Sequence, residues 1–298
     1  MQLIKHSWKY NREKDSYSRL LTTQEDNKPQ ELILEPGLEL RWKFSAERYC
    51  PGFFDLNEYR PCPDQKLLPD LKYDLCARCE AELGFKAAFL FGQEPNERAK
   101  KYLSQPHYVY LAYFEPGILK VGTASESRKE VRLIEQDGLV YAFVAKTQSG
   151  FNVTNVERMI SKTLGLTETI RSSHKFNFLQ TIPDPQKSQA LITDAYQTLL
   201  KALGRDKNFA HYLLKQEDFE IRNLAERPEI FYPAATPHNL TNELVLFGKF
   251  SGVRGRYLLF ESDNKIFAVN HKHLTGRLIE NINSHTYATE VPQQLGMF

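Results

Sequence analysis

Cys50, Cys62, Cys76 and Cys79 are the only cysteines of the 298-residue chain, and all four fall within one thirty-residue stretch. The last two form Cys76-Ala-Arg-Cys79, a C-x-x-C knuckle from which two sulfurs reach a single ion. Cys50 and Cys62 are separated by eleven residues, against the usual two to four, so the second half of this ligand set is the better defined. The opening Met1-Gln-Leu-Ile-Lys-His-Ser-Trp8 has no charged start leading into an apolar run, and the expectation is a cytoplasmic protein with reduced thiols. Clustered thiols there are read as structural zinc ligands, because four protein ligands leave no open position for catalysis. Four metal-free thiols, or a redox dithiol at Cys76 and Cys79 set between a strand and a helix, are the alternatives.

The elements that must position chemistry lie further along. His107-Tyr-Val-Tyr-Leu-Ala-Tyr-Phe114 and Ile118-Leu-Lys-Val-Gly122 read as a hairpin joined through Glu115-Pro116-Gly117. With a three-residue turn, position 114 opposes 118, and residues 110, 112, 120 and 122 share a face. A polar helix follows, with Ser127-Arg-Lys-Glu130 as a capping box and Arg128, Arg132 and Glu135 on one side. Leu139 to Ala145 reads as a third strand. A helix from about 152 to 163 then presents Val153, Val156, Ile160 and Leu164 as its apolar stripe. Glu157 sits at the edge of that stripe, where a carboxylate needs a cation or a donor.

This order of parts resembles the GIY-YIG nuclease superfamily over roughly residues 105–180. Tyr108-Val109-Tyr110 corresponds to the first signature, with tyrosine for its glycine, and Lys120-Val121-Gly122 to the second, with lysine for its tyrosine. Arg132 matches the helical arginine and Glu157 the metal-binding glutamate. A more specific likeness, over about 45–180, is to a bacterial family of unknown function that joins such a unit to an upstream cysteine module. It rests on Tyr49-Cys-Pro-Gly-Phe-Phe-Asp-Leu56, Arg60-Pro-Cys-Pro63, Cys76-Ala-Arg-Cys79, Pro106-His-Tyr-Val-Tyr-Leu-Ala-Tyr-Phe114, Gly117-Ile-Leu-Lys-Val-Gly122 and Arg132-Leu-Ile-Glu-Gln136.

The superfamily resemblance implies metal-dependent phosphodiester cleavage. Glu157 would hold Mg²⁺ or Mn²⁺ and Arg132 would clamp phosphate with its planar fork. Tyr110 would relay a proton if a cation lowered its phenol, and Lys120 is that cation. DNA or RNA is the expected partner, with Tyr108, Arg128, Lys129 and Arg132 touching the backbone. The residues also admit plainer roles: tyrosines packing in strands, Lys120 in solvent, Arg132 paired with Glu135 or Glu157. A nucleic-acid-binding protein without cleavage, or a protein-interaction role for the C-terminal sheet, are the alternatives.

A net charge of +2 excludes a strongly basic coat protein, so nucleic-acid binding needs a local patch. Hydrophobic residues make up 41% of the chain, enough for a sizeable core, and no apolar run is long enough to span a bilayer. The fold class expected is α+β. A zinc-ribbon-like module with N-terminal strands occupies 1–95, and a GIY-YIG-like small sheet flanked by helices occupies 105–182. A helical segment, read from 188 to about 215, and a small closing β-sheet or barrel occupy 186–298. Polar segments at 22–29 and 183–188 look like linkers. In the last unit, Gly248-Lys-Phe-Ser-Gly-Val-Arg-Gly-Arg256 is glycine-rich and basic but lacks a phosphate-loop ending. Asn270-His-Lys-His273 offers two histidines without a nearby third ligand.

Overall fold

Period-two alternation in Leu38-Glu-Leu-Arg-Trp-Lys-Phe44 buries Leu40, Trp42 and Phe44 on one side of a strand, and such strands build the larger of the sheets. The computed structural model describes residues 1–55, 58–84, 94–95, 97–115, 117–166, 170, 172–239 and 245–281. Strands β1 (Gln2–Asn11), β2 (Ser16–Glu25), β3 (Lys28–Ile33) and β4 (Glu39–Arg48) open it. A hairpin, β5 (Phe53–Asp55) and β6 (Glu58–Arg60), precedes helices α1 (Ala77–Leu83) and α2 (Glu97–Leu103). The middle runs β7 (His107–Phe114), β8 (Ile118–Ser125), α3 (Lys129–Gln136), β9 (Val140–Thr147), α4 (Val153–Leu164), α5 (Ser172–Asn177) and α6 (Pro185–Leu203). The rest is β10 (Ile221–Asn223), β11 (His238–Asn239), β12 (Val245–Arg254), β13 (Tyr257–Ser262), β14 (Lys265–Asn270), α7 (His271–Leu274) and β15 (Arg277–Asn281).

The architecture is α+β, with a nine-stranded mixed sheet in the order β11-β14-β13-β12-β4-β15-β1-β2-β3. The closing strands therefore do not form a separate small sheet or barrel. β4 pairs on one edge with β12 (Val245 opposite Lys43) and on the other with β15 (Ile279 opposite Phe44), and β15 continues to β1. The physical reason is edge satisfaction: the backbone donors and acceptors along both sides of β4 find partners from the far end of the chain.

The second sheet, β10-β9-β7-β8, leaves β8 at an edge. On one face Val109, Leu111 and Val121 pack against Val156 and Ile160 of α4 and Tyr196 and Leu199 of α6. On the other, Tyr110, Ala112 and Phe114 meet Leu133 and Ile134 of α3 and join the core of the large sheet through Leu3 and Trp8.

Several local expectations change. Residues 22–29 form no linker but the β2–β3 hairpin, whose Asp26 and Asn27 both take positive φ (51° and 62°) as a primed two-residue turn requires. The 183–188 segment is the start of α6, where Asp184 accepts from the Lys187 amide at 3.0 Å and Pro185 occupies the first turn. That helix ends at Leu203 and not near 215. The Ser127 capping box does not form, because a 3-10 turn over Glu126–Arg128 displaces the helix start to Lys129. Pro116 and Leu244, and residues 85–93 of the cysteine region, lie outside the described residues.

Candidate functional site

The four cysteines are buried together, every ligand sulfur within 4.8 Å of the others. The Cys62 and Cys76 sulfurs are 3.8 Å apart, which matches the edge of about 3.8 Å that a tetrahedron with Zn–S of about 2.3 Å requires. Hairpin β5–β6 explains the eleven-residue spacing, because it folds the intervening chain back so that Cys50 and Cys62 meet. Gly52, at φ +70°, allows this: a Cβ there would lie 2.2 Å from the Arg60 carbonyl. Cys76 caps α1, Cys79 sits in its first turn, and the Cys76 amide donates to the Cys50 sulfur at 3.2 Å. Burial pushes the Cys50 thiol up to about 11 and raises Cys79 as well, so thiolates sharing this space need a cation. Turns, and not a strand, precede Cys76, which removes the thioredoxin-like arrangement. The cluster is consistent with a structural zinc site.

The second group grows from the β7–β8 hairpin. Phe114 opposes Ile118, Ala112 opposes Lys120 and Tyr110 opposes Gly122, the register of a three-residue turn; the Gly117 amide donates to the Phe114 carbonyl at 3.0 Å. The Tyr110 ring lies across Gly122, where a Cβ would stand 2.3 Å from the phenol oxygen. A glycine at 122 thus lets the tyrosine reach across the edge strand. Tyr110 Oη donates to Gln136 Oε1 at 3.1 Å, and Lys120 Nζ donates to the same oxygen at 3.0 Å. Gln136 follows Arg132 by one helical turn of α3, and the Arg132 guanidinium also interacts with the phenol. Sequence reasoning missed Gln136, although its i, i+4 relation to Arg132 was legible.

Glu157 lies on α4, which packs on the opposite face of the sheet beside the edge strand β8. Its charge acts on both Tyr110 and Lys120. Burial pushes the Tyr110 phenol up to about 12 despite Arg132, so the expected lowering by a cation does not occur. Burial also lowers Lys120 to about 8, with Arg132 adding to the effect and Glu157 opposing it. Two further cations arrive from outside the hairpin and its helices. Lys175 of α5 donates to the Gln136 main-chain carbonyl, and Arg256 follows β12 in the turn to β13. Burial lowers Lys175 to about 8, against the pull of Asp137 and with Lys120, Arg256 and Arg132 adding to it.

The remaining expected contacts sit beside this cluster. Arg128 is exposed and pairs with Glu135, so Glu135 does not neutralise Arg132. Lys129 pairs with Glu126 at 2.6 Å, and Tyr108 donates to Glu126 at 2.8 Å. Tyr108 and Lys129 line an open 310 Å³ cavity with Lys146, Phe143 and Arg222. His271 of the Asn270-His-Lys-His273 segment is turned inward against His6, ring centroids 4.7 Å apart. Among the described residues, the four cysteines alone form a group of three or more side chains able to share a metal ion.

No curated protein and no solved structure matches the chain. Residues 74–279, more than half of the sequence and including Cys76, Cys79 and the whole Tyr110–Glu157 group, match a family described as "Protein of unknown function (DUF2797)". The chain belongs to the DUF2797 family.

Proposed function

We propose that this protein acts on nucleic acid as a phosphodiesterase, through a degenerate GIY-YIG-like site built from Tyr110, Lys120, Arg132 and Glu157, beside a zinc ion held by Cys50, Cys62, Cys76 and Cys79. One observation carries the reading: phenol and ammonium share Gln136 Oε1, and the Arg132 guanidinium and Glu157 carboxylate act on both, although the four groups come from four elements, β7, β8, α3 and α4. Arg132 suits a phosphate clamp. Lys120, lowered to about 8, matches a proton donor for a leaving oxygen near neutral pH, and Glu157 is the carboxylate that would act as base toward an attacking water.

The donor set does not fit a resident Mg²⁺ or Mn²⁺. Glu157 acts on the same Lys120 ammonium that Arg132 and Arg256 also reach, and Asp137 is already engaged by Arg254 at 2.8 Å and 3.1 Å. A second reading, backbone binding without cleavage, is favoured by Tyr110 itself: its side chain is 1% exposed and its phenol is pushed up to about 12.

Labelled single-stranded DNA, duplex DNA and RNA, incubated with the full chain in buffer stripped of divalent cations before the protein is added, and in Mg²⁺ or Mn²⁺, separate these readings. Cleavage abolished by Glu157→Gln supports the phosphodiesterase. Salt-sensitive binding weakened by Arg132→Ala, with no cleavage, selects the binding protein. Neither binding nor cleavage at low salt overturns both.

A further inference from the structure

We propose that Lys175 and Arg256 complete the phosphate grip around Lys120 and Arg132, so that the site holds a polynucleotide backbone without a divalent cation. This inference rests on the nucleic-acid reading above and extends it to residues that lie outside the hairpin, α3 and α4.

The geometry supplies the reason. Four cations from four segments, β8, α3, α5 and the β12–β13 turn, are near enough that each of the two lysines feels the other three charges or all but one of them. Like charges gather only where something holds them, and Gln136 does so from both ends. Its side-chain oxygen accepts from Lys120 at 3.0 Å, and its carbonyl, at the negative end of α3, accepts from Lys175. Arg256 is set by an anchor two residues away. Arg254, 3% exposed, grips both Asp137 oxygens and donates to the Leu179 carbonyl at 2.7 Å. Gly255, at φ +52°, passes so close that a Cβ would stand 2.9 Å from the Asp137 Cβ. The hairpin tip of the large sheet is thereby pressed against the end of α3, with Arg256 exposed beside the cluster.

That anchor also makes Asp137 serve two cations, since it binds Arg254 directly and only partly offsets Lys175. Lys120, Arg132, Lys175 and Arg256 together make a local concentration of positive charge in a chain whose net charge is only +2. The chemistry that relieves such an excess is a run of phosphates, each taking a guanidinium fork or an ammonium.

The test uses the full chain and a labelled single-stranded oligonucleotide in buffer stripped of divalent cations over a chelating resin before the protein is added, with affinity followed across a salt series. Arg256→Ala, on an exposed turn, and Lys175→Met should each lower the magnitude of the slope of log K against log[salt] by about 0.7, the increment of one lost phosphate contact on a single strand. Arg132→Ala serves as the reference. If Arg132→Ala reduces the slope while Arg256→Ala and Lys175→Met leave it unchanged, this inference fails and the proposed function stands. Binding that is absent in the cation-stripped buffer and appears on adding Mg²⁺ also overturns it. No binding by the wild-type chain under any of these conditions removes the nucleic-acid reading itself.

Discussion

Replacing Lys120 with methionine should make the protein more stable at neutral pH and poorer at holding phosphate. Burial and the Arg132 charge keep the ammonium at about 8 against an ordinary 10.5, with Glu157 only partly compensating. Keeping it protonated in the folded state at pH 7 costs about 3 kcal/mol before screening, and partial exposure reduces that to about 1–2 kcal/mol. Methionine retains the length of the stem, and Gln136 Oε1 keeps the Tyr110 hydroxyl as a donor, so little is lost in exchange. Lys120→Met should therefore gain about 1 kcal/mol, or roughly 2 °C in unfolding temperature. The sign with pH is specific. A lysine whose folded value is depressed carries its full penalty below about pH 8, and the penalty fades as pH climbs toward 10.5, where the unfolded chain also loses the proton. Urea unfolding of wild type and variant at pH 7 and pH 10 reads this directly, and the difference should shrink at the higher value. A variant less stable at pH 7, or a difference that does not change with pH, would refute the reasoning by showing Lys120 to be an ordinary solvated strand residue. The same titration predicts that oligonucleotide affinity declines as pH rises through about 8.

Two further outcomes follow from the same geometry. Gly122→Ala drives a methyl group into the Tyr110 phenol and should destabilise the chain by about 2–4 kcal/mol, with much of the loss recovered in a Gly122→Ala, Tyr110→Leu double variant; additive losses in thermal denaturation would contradict the packing described. Metal analysis of purified protein should find one zinc per chain, and Cys79→Ser or a strong chelator should lower the unfolding temperature; a zinc-free protein with four reduced thiols, indifferent to chelation, would dismiss the ion.

Local chemistry was legible wherever its signal lay within a few residues. The C-x-x-C knuckle, the three-residue turn that faces Tyr110 toward Gly122, and the apolar stripe of α4 are short-range patterns, and each appears where its spacing places it. The exceptions were the supposed linkers at 22–29 and 183–188, which are a hairpin and a helix start, the helix end near 215, and the capping box at Ser127, overridden where the Gln105 side chain takes the Ser127 amide at 3.1 Å.

Tertiary structure decided everything that needed distant segments to meet. Alternation marks a strand but does not name its neighbour, so nothing in residues 39–48 announces that β12 and β15 will cover both edges of β4. The β5–β6 hairpin that brings Cys50 to Cys62, the arrival of Lys175 at Gln136 and of the Arg256 charge near both lysines, and the burial that raises Tyr110 instead of lowering it share one cause. Each depends on which surfaces exclude water together, a property of the packed whole that residue spacing does not encode.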